Sequence, residues 1–290
     1  MERFKFKFSK IIDWHKRAFI KHEKLGAFHM EEWISKLFIE RADIFLEILD
    51  ERWAVTEDLV NGMLKALSSF GIVSGNLLDL CCGNGRVSVC MAKKGFKAVG
   101  VDISKAFIED ARKKALEQGV SEKTKFIQGD VRRLKEVLKG ISEPFDVVVN
   151  AWTSIGYFPQ EEELSIFKQA RELSRKGAIL IIAETAHAEF FSLKFTPTSY
   201  SEIGDYIILE SRNYDPRKAK LSTTWTFYKK HENDLKFIDK VDFQLHIYNL
   251  SELAQLIEKA GWETIAHYGN LSTLQPMSPL TSLNIIAKAV

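Results

Sequence analysis

The stretch Asp79-Leu80-Cys81-Cys82-Gly83-Asn84-Gly85-Arg86 gathers the residue types most able to do chemistry in this 290-residue chain. Glycines at 83 and 85 permit a tight turn and close backbone approach to a ligand, and a helix predicted behind them offers free N–H donors. Asp102 stands nineteen residues after Gly83, at the end of Val99-Gly100-Val101-Asp102-Ile103. An acid there is placed to accept hydrogen bonds from both hydroxyls of a ribose. Asp79 lies inside the motif, where it would repel a pyrophosphate but could pair with a cationic amino group. The loop therefore suits a nucleoside ligand that carries an ammonium. Ser88, at the third small position of a dinucleotide fingerprint, keeps a nicotinamide oxidoreductase open as an alternative.

Further candidates follow along the chain. Asp130 comes after Gly129 at a predicted strand end, where it either meets the ligand or caps a helix starting at Val131. Asn150 closes another predicted strand, and Tyr157 follows it within Trp152-Thr153-Ser154-Ile155-Gly156-Tyr157-Phe158. His187 and His246 are candidate bases near an acceptor, with a solvated or capping role as the alternative. Cys81, Cys82 and Cys90 crowd one segment and are odd in number, which suits reduced thiols. No metal is expected, because the adjacent pair lacks the spacer and the second ligand pair of a structural site.

The elements that must position these groups can be read from the pattern. Residues 1–70 read as a helical segment, with Trp33, Ile34, Leu37 and Phe38 at helical spacing, a helix start at Thr56 and a stop at Gly71. From residue 71 short apolar runs alternate with amphipathic helices, the grammar of a parallel sheet with helical crossovers. The expected strands are 77–80, 98–101, 124–128, 146–150 and 178–183, with helices over 86–94, 104–118 and 161–175. Residues 206–214, 221–228 and 237–247 read as an antiparallel β meander inserted over 187–246, after which 247–290 return to the first domain with a helix and a last strand at 281–289. The fold class is α/β, a Rossmann-like doubly wound mostly parallel sheet with a helical N-terminal segment and an inserted meander.

Composition narrows the function classes. With 46% apolar and 28% charged residues the chain can bury a sizeable core, which excludes disordered and fibrous classes. Forty-one basic against thirty-nine acidic residues give a net charge of +2, too balanced to imply a nucleic-acid or anionic-membrane partner in bulk. The local cluster Lys5, Lys7, Lys10, Lys16, Arg17, Lys21 and Lys24 keeps an RNA-binding arm as an alternative to a solvated helical face. No apolar run reaches the roughly 20 residues of a membrane span, and the expected location is cytoplasmic. The number of copies in the assembly is left open, a homodimer among the options.

The motif Leu78-Asp79-Leu80-Cys81-Cys82-Gly83-Asn84-Gly85 resembles the first motif of the class I S-adenosylmethionine-dependent methyltransferases, with Cys81 in place of the first glycine. Gly100-Val101-Asp102-Ile103-Ser104, Gln128-Gly129-Asp130-Val131 and Phe145-Asp146-Val147-Val148-Val149-Asn150-Ala151 are similar to the next three, in order. Ser154-Ile155-Gly156-Tyr157 looks like the same stretch in small-molecule N-methyltransferases of the sugar-amine and glycine types. The resemblance covers roughly residues 70–186 and 248–290. It implies S-adenosyl-L-methionine as cofactor and S-adenosyl-L-homocysteine as product, held by Asp79, Cys81, Gly83, Gly85, Asp102, Ile103, Asp130, Val131 and Asn150. It also implies in-line transfer to a small-molecule acceptor, an amine in the first instance, near Tyr157, His187 and His246, with an RNA base as the alternative acceptor.

Overall fold

A computed structural model describes residues 30–152, 154–232 and 234–290; the basic cluster of residues 5–24 lies outside them. Helix α1 (Met30–Ser35) passes through one π-helical turn (Lys36–Glu40) into the long helix α2 (Ala42–Ser68). The helix start expected at Thr56 does not occur. Thr56 sits fully buried in the middle of α2, where its hydroxyl donates to the Arg52 carbonyl one turn back (2.9 Å) and so finds its partner without ending the helix.

The alternating segment then forms in the predicted order, with α5 added and β5 opening at Ser174, inside the stretch read as helix: β1 (Asn76–Leu80), α3 (Arg86–Lys93), β2 (Lys97–Asp102), α4 (Lys105–Glu117), β3 (Thr124–Gln128), α5 (Leu134–Val137), β4 (Phe145–Ala151), α6 (Gln160–Glu172) and β5 (Ser174–Thr185). Ser104 caps α4 by accepting from the Phe107 N–H. After the insert come α8 (Leu250–Lys259), β10 (Trp262–Tyr268) and β11 (Leu283–Ala289). Asn249 and Glu252 start α8 with a reciprocal capping box. The seven-stranded sheet has the order β10-β11-β5-β4-β1-β2-β3, with β11 antiparallel to both neighbours and the other six strands running in one direction. Helices cover both faces, which is why the central strands are apolar runs rather than alternating ones. Leu78, Val148 and Leu180 pack on one face, and Leu77, Val147 and Ile179 on the other.

Chain order reverses between β1 and β4, so the C-terminal ends of β1, β2 and β4 open onto one crevice, where ligands of such sheets bind. The second sheet is antiparallel, β6 (Thr198–Ile203), β7 (Tyr206–Asp215), β8 (Lys220–His231) and β9 (Asp234–His246), preceded by α7 (Ala188–Leu193). A shared core of Trp33, Phe38, Phe45, Phe107, Phe227 and Phe243 ties this sheet to α1, α2 and α4 above the crevice.

Candidate active site

The glycine turn joins β1 to α3. Gly85 takes the left-handed conformation (φ +75°), and a Cβ there would lie 2.8 Å from the Phe126 ring and 2.9 Å from the Ala111 Cβ, so only glycine fits between the turn and β3. Cys81, where the resemblance calls for glycine, also adopts a left-handed backbone (φ +55°), a conformation that strains an L-residue with a side chain. Cys81 and Gly83 border an open cleft over the strand ends, about 810 Å³ including the solvent at its mouth, whereas Gly85 does not line it.

Asp102, at the end of β2, points back at this turn. One carboxylate oxygen accepts from the Gly83 N–H and the other from the Ser104 N–H, each at 2.9 Å. Burial pushes its carboxyl up to about 6 against these bonds, so it keeps a strong demand for further donors from the cleft side. Asp79 is likewise buried and raised to about 6 by desolvation, with the Ser88 hydroxyl (2.7 Å) and the Arg86 charge acting in the opposite sense. A buried carboxyl so raised gains from a cation laid against it.

Asp130 and its neighbour Val131 line the cleft with Ile103. Asp130 is engaged twice: it caps the turn at Val131 through the Arg132 N–H (2.9 Å), and it grips the Arg132 guanidinium with both oxygens. Burial would raise this carboxyl, but Arg132 outweighs it and holds Asp130 below the usual range. Asn150 is buried beside the cleft. Its Nδ2 faces the Ser154 carbonyl at 3.4 Å and its Oδ1 has no partner among the described residues.

Tyr157 lines the opposite wall, edge-on to Trp33 (5.1 Å between centroids) and stacked on Phe38 (5.9 Å). Its loop is fastened at Gly156, whose φ is +87° and whose Cβ, if present, would fall 2.0 Å from the His246 carbonyl oxygen. The His246 N–H donates to the Gly156 carbonyl at 2.8 Å.

Neither histidine lines the cleft. His187 is fully buried at the mouth of the insert, with Nε2 2.7 Å from the Thr281 carbonyl and Nδ1 2.9 Å from Glu189; both ring nitrogens are spent on holding that corner. His246 backs the Tyr157 loop through its main chain, and its ring lies edge-on to Tyr248 at 4.3 Å, where burial pushes the imidazole below its ordinary value. His187 and His246, expected as candidate bases near an acceptor, thus have packing partners outside the cleft lining.

Two residues at the site went unread in the sequence. Arg86 lines the cleft almost wholly buried, donates to the Thr56 hydroxyl (3.0 Å) and faces Glu184 at 4.0 Å; Glu184 in turn binds Arg52 at 2.5 Å. Glu163 of α6 is 2% exposed and accepts from the N–H groups of Gly156 (2.8 Å) and Phe158 (3.3 Å). Its signal was its place on the apolar face of α6 with Ile166, Phe167 and Ala170, an acid where a core residue is expected. Among the described residues no cluster of His, Cys, Asp and Glu could hold a metal, and no helix is long and apolar enough to cross a membrane.

Residues 77–177 match the model of a methyltransferase domain. A putative methyltransferase, YqeM of Bacillus subtilis (strain 168), is 29% identical over 126 residues, 43% of this chain and 47% of the relative. The chain spans about half the length of the curated relatives it matches. Among solved structures, an S-adenosylmethionine-dependent methyltransferase from Clostridium acetobutylicum ATCC 824 superposes with a TM-score of 0.71 at 14% identity, over 86% of this chain and 98% of the other. The sugar N-methyltransferase KedS8 from Streptoalloteichus sp ATCC 53650 gives 0.63 at 16% identity, over 86% and 92%. Residues 77–177 belong to the methyltransferase domain family, carried on the fold of the S-adenosylmethionine-dependent methyltransferases.

Proposed function

We propose that the chain binds S-adenosyl-L-methionine in this cleft and transfers its methyl group to the amine nitrogen of a small-molecule acceptor, with residues 187–246 and the N-terminal helices as a cover over that acceptor. The observation that carries the reading is the pair of buried carboxyls, Asp79 and Asp102, both raised to about 6 and both lining the glycine turn. The cleft residues fit this cofactor: Asp102 is placed for the ribose hydroxyls and Asp79 for the amino group of the methionine portion, while Asn150, next to the lining residue Ala151, keeps an unpartnered Oδ1 that can accept one further donor.

When bound, the cofactor supplies a methyl carbon already activated by its sulfonium. The protein's remaining work is alignment and exclusion of water. Phe38, Phe45, Trp152 and Tyr157 give the cleft apolar walls that do both. The Tyr157 ring face can hold an ammonium, and its hydroxyl can orient the neutral amine that attacks. A free amine needs no strong base, which accords with the absence of His187 and His246 from the cleft lining. With no described helix fit to cross a membrane and its three cysteines free, we place the chain in the cytoplasm.

Calorimetry with S-adenosylhomocysteine and with NAD tests the cofactor, which should be bound and refused respectively. A labelled-methyl assay over metabolite pools and total RNA tests the acceptor. Label in small amines that falls in Tyr157→Phe supports the reading; label in RNA alone, with Tyr157→Phe unimpaired, overturns it.

A further inference from the structure

The lining of the cleft divides by origin. Its carboxyl and guanidinium groups, on Asp79, Asp102, Asp130 and Arg86, come from β1, β2, the turn after β3 and the start of α3. The helical cover contributes Ile34 of α1, Phe38 of the π-helical turn, and Phe45 and Leu49 of α2, all four buried and apolar. Tyr157 continues this wall, stacked on Phe38 at 5.9 Å. Phe38 meets Phe45 edge-on at 4.9 Å, and Trp225 of β8 stacks behind Phe45 at 6.2 Å. The meander thus backs a wall of rings that is formed before any ligand arrives.

Little on that side can bond a polar group. The Ser154 hydroxyl, which borders it, donates to the Ala151 carbonyl at 3.2 Å. Arg86 is the one cation among the described lining residues, and it stands on the opposite side, donating to the Thr56 hydroxyl (3.0 Å) and holding the Asp79 carboxyl down by its charge. A hydroxyl-rich or anionic frame laid against the cover would lose its water and gain few bonds in return. An apolar frame gains by the area it buries, and aromatic rings suit the faces and edges that Phe38, Phe45 and Tyr157 present. Burial there also favours the neutral form of an amine, the form with a lone pair to offer.

We propose that the acceptor is an amine on an apolar, aromatic frame bearing neither hydroxyl nor carboxylate groups, seated against Ile34, Phe38, Phe45 and Tyr157. The assignment rests on the methyltransferase reading above and narrows its acceptor.

The test uses the full chain loaded with S-adenosylhomocysteine and three amines as probes in saturation-transfer NMR titrations: 2-phenylethylamine, D-glucosamine and glycine. 2-Phenylethylamine binds, and the hydroxylated and the anionic amines bind at least about tenfold more weakly. Phe38→Leu, which removes a ring but keeps the wall apolar, weakens 2-phenylethylamine about fivefold and leaves S-adenosylhomocysteine binding unchanged. Ile34→Thr, a smaller change that serves if Phe38→Leu does not fold, weakens it about threefold. Failure of the wild-type chain to bind S-adenosylhomocysteine sinks the methyltransferase reading itself. Product binding with 2-phenylethylamine held no more tightly than D-glucosamine or glycine, an affinity for it that the folded variants leave intact, or an equal loss of product binding in those variants overturns the apolar assignment alone.

Discussion

Replacing Glu163 by Gln should stabilise the protein at neutral pH and leave it unchanged in acid. Burial raises the Glu163 carboxyl from its ordinary 4.5 to about 7, against the N–H groups of Phe158, Gly156 and Tyr157, which favour the charged form. A folded value above the unfolded one means that folding favours the protonated acid. Its contribution is fully present below about pH 4.5 and is lost progressively as pH rises through 7. A difference of this size corresponds to about 3 kcal/mol at 1.36 kcal/mol per pH unit. The amide of Gln keeps a carbonyl oxygen for the Gly156 and Phe158 donors and never ionises. Urea unfolding followed by tryptophan fluorescence at pH 5, 6, 7 and 8 should then show the variant gaining on the wild type across this window, by about 3 kcal/mol at the top. Asp79 and Asp102 titrate in both proteins and cancel in the difference. Curves that run parallel from pH 5 to 8, or a variant less stable at pH 8, would refute the account.

Asp102→Ala should weaken S-adenosylhomocysteine binding by about 1.5 to 3 kcal/mol, the scale for bonds to a charged group, and calorimetry on the folded variant checks it. Gly156→Ala should cost about 3 kcal/mol in urea unfolding, because the new methyl collides with the His246 carbonyl and the backbone angle is left-handed; a loss under about 1 kcal/mol would show that the loop can move aside.

The strands of the first sheet were legible because a strand buried on both faces must be apolar throughout, and the glycine turn because few residue types can make it. The strands that escaped notice are those at sheet edges. β6 is the polar run Thr-Ser-Tyr-Ser-Glu-Ile, and β10 mixes Glu263, Thr264 and His267 among its apolar residues; each is held by a single neighbouring strand. Thr56 was misread because a cap and a mid-helix hydroxyl that bonds one turn back look alike in sequence. His187 and His246 were placed near the cleft by chain position alone, which carries no information about the direction of a ring. Asp102 and Glu163 show the same contrast: one stands in a recognisable frame, whereas the other follows Glu161 and Glu162 and passes for a solvated acid in a first helical turn.

The bond between the His246 N–H and the Gly156 carbonyl also bears on how the chain could be recombined with relatives. It welds the last residue of the meander to the loop after β4, and Glu163 welds that loop to α6 from the other side. A chimaera that imports a foreign meander but keeps residues 154–163 inherits half of a joint. Grafts cut at 152 and 248, carrying loop, helix and meander together, would preserve the registration that either part alone would lose.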